Sequence, residues 1–374
     1  MSHILVTGGA GFIGSHLVDA LIERGHRVRV LDSLVEQVHG PNADRPAHLH
    51  PAAEFMCGDV RDVNVIRRAL QGVEIVYHEA AEVGVGQSMY EVTRYVGGNT
   101  YATSVMLEVL ANEKHSVKRL IVASSMSIYG EGAYLCPEHG RVHPFLRPEA
   151  QLARKDWEMR CPQCGRPAQI MGTPEDKPLF PASIYAVSKM DQELMCLSIG
   201  RAYNIPTVAL RYFNVYGPRQ ALSNPYTGVA AIFSGRLLNG KPPVIFEDGL
   251  QSRDFVHVSD IVRANLLAME RDEAAYEVFN IGTGRALSIC DVAMALIREL
   301  KVDIQPEIVG GFRAGDIRHC VADIGKARRM LGFEPRVKFE DGLSELVEWV
   351  RYQRADDRVE TARSELAARG LIRA

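Results

Sequence analysis

The stretch Thr7-Gly8-Gly9-Ala10-Gly11-Phe12-Ile13-Gly14 lies between a short apolar run, Ile4 to Val6, and an amphipathic segment, Ile13 to Arg24. Glycines 8, 11 and 14 allow the backbone to turn sharply and to approach a phosphate, whose charge then meets free N–H groups at the positive end of a helix dipole. This strand-turn-helix context is typical of the first βα turn of a dinucleotide-binding sheet. A tight turn without a ligand is the alternative.

Two carboxylates follow the next apolar runs. Asp32 lies 18 residues after Gly14 (14 to 32), close to the spacing of about 20 expected for the residue that binds a ribose 2′-hydroxyl. A carboxylate there repels a 2′-phosphate, so we expect NAD rather than NADP. Asp59, in Gly58-Asp59-Val60, either caps the following helix or contacts the adenine ring.

Short runs rich in β-branched residues alternate with amphipathic segments through the first half of the chain. This alternation predicts βαβ units and a Rossmann-like, doubly wound parallel α/β sheet. The expected strands are Ile4 to Val6, Val28 to Leu31, Phe55 to Cys57, Ile75 to His78, Leu120 to Ala123 and Thr207 to Leu210. The expected helices include Ile13 to Arg24, Val63 to Leu70, Thr100 to Asn112, Asp291 to Leu300 and Asp341 to Trp349.

The spacing of these elements predicts the domain organisation. Residues 1–212 are expected to form the NAD-binding domain, which contains an aperiodic insertion at 131–181. Residues 213–350 mainly form a smaller α+β substrate-binding lobe, from which some strand or helix returns to the sheet. The charged tail, 351–374, is expected to be a solvent-facing helix.

The composition and net charge of the chain limit the classes of partner that we expect. The 374 residues include 43 basic and 46 acidic side chains, a net charge of −3, so no strong field gathers nucleic acid or anionic lipid. The N-terminus has no Lys or Arg before its apolar run, and no segment reaches the ~18 uninterrupted apolar residues of a membrane span. We therefore expect a cytoplasmic protein with a small-molecule partner and neither nucleic-acid nor membrane binding.

A candidate catalytic pair follows the insertion. Tyr185 and Lys189 are four residues apart, on one face of a predicted helix. A phenol has a pKa of about 10, so it acts as a base near neutrality only where a cation such as Lys189 favours the phenolate. Ser125 ends the preceding strand, and Asn99 opens the helix before that strand.

These motifs together resemble the extended short-chain dehydrogenase/reductase family, and more narrowly its nucleotide-sugar epimerases and dehydratases. The resemblance spans nearly the whole chain. It rests on the glycine motif, the segment Ser124 to Gly130, the pair Tyr185 and Lys189, and the run Arg211-Tyr212-Phe213-Asn214-Val215-Tyr216-Gly217-Pro218.

The resemblance implies a role for each matching residue. Tyr185 would remove the proton of a sugar hydroxyl while hydride passes to NAD, Ser125 would hydrogen-bond the developing carbonyl, and Lys189 would bind the nicotinamide ribose and lower the pKa of Tyr185. The implied cofactor contacts are Gly8, Gly11, Phe12, Ile13, Gly14, Asp32, Asp59, Val60, Ala80, Ala81, Asn99, Tyr185 and Lys189. The implied substrate contacts are Val85, Ser125, Ser127, Asn214, Arg253, Arg313 and Asp316.

The two arginines among these implied substrate contacts can also be explained without a ligand. Asn214 would contact the substrate diphosphate, and Arg253 and Arg313 would bind its phosphates, chemistry that suits guanidinium groups. Intramolecular salt bridges with Asp254 and Asp316 would explain the same two arginines without a ligand.

The residues after Ser125 bear on the reaction. Dehydratases of the family carry an Asp-Glu pair there, whereas this chain has Met126-Ser127, which does no acid/base work near neutral pH. Epimerisation at C4 needs one base and a retained NAD, so we expect a C4 epimerase. The small and apolar segment Ala81 to Met89 suits a 6-deoxy sugar, and Glu82 would oppose an anionic one.

By likeness of the segments Ser124 to Gly130 and Gln220 to Tyr226, the chain is most similar to dTDP-L-rhamnose 4-epimerases, which make the 6-deoxy-L-talose epimer. A nucleotide-sugar 4-dehydrogenase or reductase is an alternative within the fold, and a non-catalytic NAD-binding sensor or scaffold is an alternative outside enzymes. The resemblance also implies a homodimer, formed through the helices that begin near Thr100 and Tyr185.

The insertion contains two similar knuckles, Cys136-Pro137-Glu138-His139-Gly140-Arg141 and Cys161-Pro162-Gln163-Cys164-Gly165-Arg166. Such a pair offers four tetrahedral ligands for zinc, here Cys136, His139, Cys161 and Cys164, with His143 as a substitute for His139. A structural zinc ribbon would supply the folding free energy that the small insertion lacks. A flexible lid and a redox Cys-x-x-Cys remain alternatives.

We expect the other cysteines, Cys57, Cys196, Cys290 and Cys320, to be ordinary buried thiols.

Overall fold

The computed structural model describes residues 1–41 and 43–373. Within them the strands are β1 (His3–Thr7), β2 (Arg27–Asp32), β3 (Glu54–Cys57), β4 (Ile75–His78), β5 (Arg119–Ser125), β6 (Ala133–Cys136), β7 (Gly140–Val142), β8 (Gln169–Met171), β9 (Thr207–Tyr212), β10 (Asn214–Tyr216), β11 (Val244–Ile245), β12 (Ser252–His257), β13 (Val278–Ile281), β14 (Ala286–Ser288), β15 (Glu307–Ile308), β16 (Phe312–Arg313), β17 (His319–Cys320) and β18 (Ile372–Arg373).

The α-helices of the same residues are α1 (Phe12–Glu23), α2 (Glu36–His39), α3 (Val63–Ala69), α4 (Val85–Ser88), α5 (Val92–Tyr95), α6 (Ala102–Asn112), α7 (Glu149–Leu152), α8 (Ile184–Ala202), α9 (Val229–Leu238), α10 (Val258–Glu270), α11 (Ile289–Leu300), α12 (Gly325–Leu331), α13 (Phe339–Val350) and α14 (Val359–Ala368). A π-helical segment, Val96–Tyr101, precedes α6, and 3₁₀ turns occur at Met126–Tyr129 and Asp272–Ala274. None of the helices in the described part of the chain combines the length and apolarity of a membrane span.

Seven of the described strands form one parallel sheet in the order β13-β9-β5-β4-β1-β2-β3. The six strands expected from the sequence all lie in it, so the prediction of a parallel, Rossmann-like α/β sheet is confirmed. The seventh strand, β13, comes from beyond residue 212 and pairs with β9. β1 lies inside the sheet, where Ile4 pairs with Val28 on one side and with Ile75 on the other.

Helices cover both faces of this sheet, as a doubly wound fold requires. On one face α1 and α10 contribute Leu17 and Ile261 to a core that includes β1 and β2. On the other face α3, α6 and α8 bury Ile66, Met106 and Leu197. Because apolar side chains point to both faces of the sheet, the sequence of most strands is a continuous apolar run and does not alternate between apolar and polar residues.

The smaller lobe has its own core, formed by α9, α11 and α13 around residues such as Phe233, Leu296 and Leu346. Strands β10, β12, β14 and β17 form a mixed sheet beside this core. Helix α11 begins with a capping box, in which the side chains of Ser288 and Asp291 each accept a hydrogen bond from the other's backbone N–H group.

The insertion folds as a three-stranded antiparallel sheet in the order β7-β6-β8, with a small core that includes Tyr134, Met159 and Cys161. It docks onto the smaller lobe through buried charges. Arg147 of the insertion pairs with Glu247 at 2.7 Å, and Arg318 pairs with the other oxygen of Glu247 at 3.0 Å. The insertion is therefore attached to the loop that leads into β12.

The C-terminal segment differs from the expected solvent-facing helix. Helix α14 buries Ala362 and Leu366, and β18 pairs antiparallel with β16. The sequence of this segment is mostly charged, and the two apolar side chains Ala362 and Leu366 give only a weak signal in it. They lie one helical turn apart, which is enough to pack a short helix against a neighbour.

The expectation for the isolated cysteines is also partly wrong. Cys196 and Cys320 are buried, but Cys57 is exposed and Cys290 is half-buried. Cys57 is the last residue of β3, the edge strand of the sheet, and a strand end on that edge stays open to solvent.

Candidate active site

The glycine turn connects β1 to α1 at the carboxyl edge of the sheet. Gly8 adopts a φ of +69°, and a Cβ there would lie 2.7 Å from the backbone N of Ala80. A Cβ at Gly14 would lie 2.3 Å from the carbonyl oxygen of Gly8. At Gly11 the nearest atom of the described chain to a Cβ would be Gly8 O, at 3.3 Å. The chain's own packing thus requires glycine at 8 and 14, whereas a Cβ at Gly11 would press on a single atom of the described chain, Gly8 O.

The other residues expected to contact the cofactor line the same edge of the sheet. Phe12 and Ile13 open α1, Val60 follows β3, and Ala80 and Ala81 follow β4. The carboxyl ends of adjacent parallel strands are where doubly wound sheets bind nucleotides. The arrangement fits a dinucleotide.

Asp32 ends β2, and its carboxylate accepts hydrogen bonds from the backbone N–H groups of Ala10 and Leu34, each at 3.0 Å. These bonds hold the carboxylate beside the glycine turn, where the ribose of a dinucleotide would lie.

Asp59 follows the neighbouring strand, β3, and pairs with Arg61 instead of capping a helix. The cap of α3 is Asp62, whose Oδ1 accepts from Asn64 N at 2.8 Å. The capping alternative for Asp59 is therefore wrong, because that aspartate lies three residues too early.

Tyr185 is in the first turn of α8, where Ser183 caps the helix by accepting from Ala186 N at 3.1 Å. The backbone N of Tyr185 donates to Ser88 Oγ at 3.0 Å, which ties the helix start to α4. Burial raises the pKa of Tyr185 above its ordinary value, and a hydrogen bond with Ser125 acts in the opposite direction. The Ser125 hydroxyl is therefore near enough to the phenol to influence its pKa, as the resemblance implies for this pair.

Ser125 ends β5 and caps the 3₁₀ turn that follows. Its Oγ accepts from Ser127 N at 3.2 Å and from Ser127 Oγ at 2.9 Å. Two hydroxyls consequently lie beside Tyr185, and the positions where a dehydratase carries its acid and base hold Met126 and Ser127.

Lys189 is buried one turn below Tyr185, and its ammonium donates to Gln192 Oε1 at 2.7 Å. Burial lowers the pKa of Lys189 to about 8, and the nearby Glu79 carboxylate opposes that effect. Gln192 in turn contacts His78 and Thr103. The lysine is thus oriented by a buried polar network at the end of β4.

Glu79 belongs to the site although the sequence reasoning overlooked it. Its carboxylate accepts from Tyr212 OH at 2.8 Å, and burial raises its pKa to about 7. Glu79 belongs to no recognisable motif, so only its position directly after β4 could have indicated it.

Asn99 is fully buried in the π-helical segment. Its side-chain oxygen accepts from Glu82 N at 2.7 Å, and its amide donates to Ser188 Oγ at 2.9 Å. Asn99 therefore holds the loop after β4 against α8, the helix that carries Tyr185.

A second overlooked feature, a buried ion pair, supports the candidate catalytic residues. Arg211 of β9 forms two hydrogen bonds to Glu193 of α8, at 2.9 and 2.6 Å, and Ser124 donates to the same carboxylate at 2.6 Å. Both charged side chains are at most 6% exposed. The motif that contains Arg211 suggested the family, but no local pattern identified Glu193 as its partner.

The substrate lobe brings Arg253, Arg313 and Asp316 together. Asp316 accepts from Arg313 Nη2 at 2.7 Å and from Arg253 Nη2 at 3.3 Å. Burial acts to raise the pKa of Asp316, but the two guanidinium groups hold it below its ordinary value. One carboxylate thus orients two arginines toward a common place.

The salt-bridge alternative is half correct. Asp316 is the intramolecular partner, but Asp254 is turned to other groups. Its buried carboxylate accepts from Thr283 N, Thr283 Oγ1 and Gly284 N at 2.6 to 2.8 Å and so fixes the loop before β14.

Asn214 starts β10, and its buried Oδ1 has no hydrogen-bond partner in the part of the chain that is described.

Val85 opens α4 and lines a small open cavity beside the start of α8. Arg313 and Ser183 are on the wall of the same cavity. The cavity therefore connects the segment that carries Tyr185 with the arginine cluster.

In the insertion, Cys136, His139, Cys161 and Cys164 place their ligand atoms within 4.8 Å of one another. The two sulfurs of Cys136 and Cys164 are 3.7 Å apart, and each of Cys136 Sγ and Cys161 Sγ is 3.6 Å from His139 Nδ1. Tetrahedral zinc, with Zn–S of ~2.3 Å and Zn–N of ~2.05 Å, requires separations of about 3.8 and 3.6 Å. The cluster thus fits a tetrahedral metal. His143 lies outside it, so His139 is the histidine of the cluster.

Comparison with known proteins agrees with this geometry. A profile of the NAD dependent epimerase/dehydratase family matches residues 4–151 and 162–282. The chain is 36% identical to the dTDP-L-rhamnose 4-epimerase of Burkholderia thailandensis over 351 residues, which are 93% of this chain and 94% of that relative. It is 31% identical to the UDP-glucose 4-epimerase of Mycolicibacterium smegmatis over 93% of this chain and 98% of that one.

Solved structures give the same result. The UDP-glucose 4-epimerase of Thermotoga maritima, solved with UDP-glucose, superimposes with a TM-score of 0.76 at 35% identity, over 93% of this chain and 98% of that one. The UDP-glucuronic acid 4-epimerase of Bacillus cereus, solved with UDP-glucuronic acid and NAD, has a TM-score of 0.75 at 28% identity, over 93% and 99%. The resemblance drawn from the sequence motifs is confirmed. The chain belongs to the NAD-dependent epimerase/dehydratase family and is an isomerase of its nucleotide-sugar 4-epimerase branch.

Proposed function

We propose that this enzyme interconverts dTDP-L-rhamnose and dTDP-6-deoxy-L-talose by epimerisation at C4. The observation that carries the proposal is the cavity beside α8, because most of the side chains around it have no hydrogen-bonding group. An apolar cavity suits a sugar whose C6 is a methyl group. The relative from Burkholderia thailandensis, a dTDP-L-rhamnose 4-epimerase, supports the same substrate.

In the proposed mechanism Tyr185 takes the proton from the C4 hydroxyl. Bound NAD supplies the hydride acceptor at C4 and afterwards the hydride donor. Ser125 donates a hydrogen bond to the developing carbonyl oxygen, and Lys189 binds the nicotinamide ribose and stabilises the Tyr185 phenolate by its charge. When the keto sugar has turned over in the pocket, the hydride would return to the opposite face of C4, and Tyr185 returns the proton to the C4 oxygen.

The substrate's diphosphate has its own proposed site. Arg253 and Arg313, which Asp316 already orients, supply two guanidinium groups, and Asn214, at the start of the strand that pairs with β12, supplies an amide. Two preorganised arginines suit a doubly charged diphosphate, since less side-chain freedom is lost on binding. This site holds the nucleotide end while the sugar rotates.

A panel of dTDP-, UDP-, GDP- and CDP-sugars tests this function. We expect C4 isomerisation of dTDP-L-rhamnose, detected by chromatography, without net absorbance at 340 nm. Accumulation of NADH at 340 nm would instead indicate a 4-dehydrogenase. Binding of NAD without turnover of any sugar would indicate a sensor or scaffold, and faster turnover of a UDP-hexose would contradict the proposed sugar.

We also propose that the insertion holds one structural zinc ion through Cys136, His139, Cys161 and Cys164. Backbone N–H groups of Glu138 and His139 point at Cys136 Sγ, and those of Gln163 and Cys164 point at Cys161 Sγ, an arrangement that stabilises thiolates. Four protein ligands leave no open position, which favours a structural rather than a catalytic role.

Metal analysis of the purified enzyme tests the zinc site. We expect about one zinc per chain by atomic emission, because a closed four-ligand site retains its metal. Cys164→Ser should lose most of it, whereas Cys57→Ser, which changes an exposed cysteine of the sheet edge, should keep it. Less than about one-tenth equivalent in the unchanged enzyme, prepared without chelator, would contradict the proposal.

A further inference from the structure

Residues 357–373, here called the strap, cross from one lobe of the enzyme to the other. Asp357 anchors its start on the smaller lobe by pairing with Lys241 at 2.9 Å. Further along, Glu365 Oε2 accepts from Tyr90 OH at 2.8 Å and from Tyr226 OH at 3.1 Å. Tyr90 follows α4 in the NAD-binding domain, and Tyr226 lies in the smaller lobe, so one carboxylate joins both sides of the cleft.

The end of the strap is attached to the arginine cluster. Strand β18 pairs with β16, so that Ile372 lies opposite Arg313. The backbone N of Ala314 donates to Leu371 O at 2.9 Å. Arg373, in turn, forms an ion pair with Glu149 of the insertion. The strap is therefore attached along its length to both lobes and to the insertion.

Two apolar side chains of the strap face the cavity beside α8. Leu366 is 7% exposed, and it lies so near α4 that a Cβ at Gly86 would be 3.4 Å from both of its Cδ atoms. Leu366 and Leu371 line the cavity together with Val85 and Met89. Two of these four large apolar side chains thus come from the C-terminal segment.

The location of this cavity indicates which part of a nucleotide sugar would lie against its wall. Ser183, on its wall, is two residues before Tyr185, and Arg313 lies on the wall as well. A nucleotide sugar that presents its C4 hydroxyl to Tyr185 and its diphosphate to Arg313 would place its hexose ring between these two residues, next to the cavity. The strap would then contact the ring directly.

We propose that Leu366 and Leu371 of the strap are specificity-determining residues that select a nucleotide sugar with a methyl group at C6. This inference rests on the proposed function. Of the groups that form C6 in hexoses, the hydroxymethyl, the carboxylate and the methyl, only the methyl is apolar, so it alone matches a wall of leucine, valine and methionine. A C6 hydroxyl or carboxylate held against the leucine, valine and methionine side chains loses its hydrogen bonds to water there, although Ser183 and Arg313 lie on other parts of the cavity wall.

The test compares dTDP-L-rhamnose with dTDP-L-mannose, which differs from it only by a hydroxyl at C6. We expect Leu366→Gln and Leu371→Gln each to reduce the ratio of kcat/KM for the deoxy sugar over the hydroxy sugar by about tenfold, the usual size of such discrimination in an apolar pocket. Ala368→Gln introduces the same side chain at an exposed position of the same helix and should leave the ratio unchanged.

Because both sugars are measured on one preparation, a smaller folded fraction cancels in the ratio. Turnover of dTDP-L-rhamnose by the unchanged enzyme together with an unaltered ratio in both leucine variants would overturn the role of the strap but not the proposed function. Failure of the unchanged enzyme to turn over dTDP-L-rhamnose, with turnover of another nucleotide sugar, would overturn both.

Discussion

Replacement of Tyr185 by Phe is expected to lower kcat for epimerisation by about 10²- to 10⁴-fold, the contribution of a positioned general base. The phenol oxygen is the group that takes the C4 proton, and neither Ser125 nor Lys189 can replace it, since the serine hydroxyl is a far weaker base near neutral pH and the lysine ammonium is turned toward Gln192. The measurement is the initial rate of C4 isomerisation at saturating nucleotide sugar.

Two controls separate chemistry from folding. NAD binding should be retained in Tyr185→Phe, because the glycine turn and Asp32 are untouched. Tyr203→Phe removes a hydroxyl from an exposed tyrosine just after the same helix and should leave the rate unchanged. If Tyr185→Phe kept more than about a tenth of the rate, another group would be the base, because the loss would be below the usual range.

Replacement of Arg211 by Met is expected to reduce the free energy of unfolding by about 3–5 kcal/mol, the usual cost of removing one partner of a buried ion pair. Glu193 would keep its charge in a site where it is 1% exposed, and of its described hydrogen-bond donors only the Ser124 hydroxyl would remain. The loss can be measured as a shift of the urea midpoint at constant slope.

The matched control is Arg285→Met. Arg285 also makes two hydrogen bonds to a carboxylate, that of Glu340, but both side chains are more than half exposed, so the expected loss is about 0–1 kcal/mol. The double variant Arg211→Met with Glu193→Met removes both charges and should recover much of the stability. Equal losses for Arg211→Met and Arg285→Met would contradict the importance that we assign to burial.

The strands of the sheet and the turn between β1 and α1 could be predicted because their signals are local. The glycines, the apolar run before them and the amphipathic segment after them are contiguous, and all of them favour the same local structure. The pair Tyr185 and Lys189 could be predicted for the same reason, since four residues of helix place both side chains on one face.

Other parts of the site depend on which strands become neighbours. Glu79 meets Tyr212, and Arg211 meets Glu193, because β4, β5 and β9 are adjacent and α8 packs across them. The partner of Arg253 was uncertain for the same reason. Asp254 is next to it in the chain but points to the other side of β12, as successive residues of a strand do, whereas Asp316 reaches it from a loop.

The dinucleotide turn and the candidate catalytic tyrosine could be predicted from residue type and spacing, because local backbone geometry dictates them. The two cysteine knuckles could be predicted in the same way, although they meet only in the folded insertion. The position of the C-terminal segment could not, since its charged composition describes only the face that meets water. Its two leucines reach the cavity only when β18 pairs with β16. Contacts between distant segments follow from how the elements pack, and packing depends on the whole chain at once.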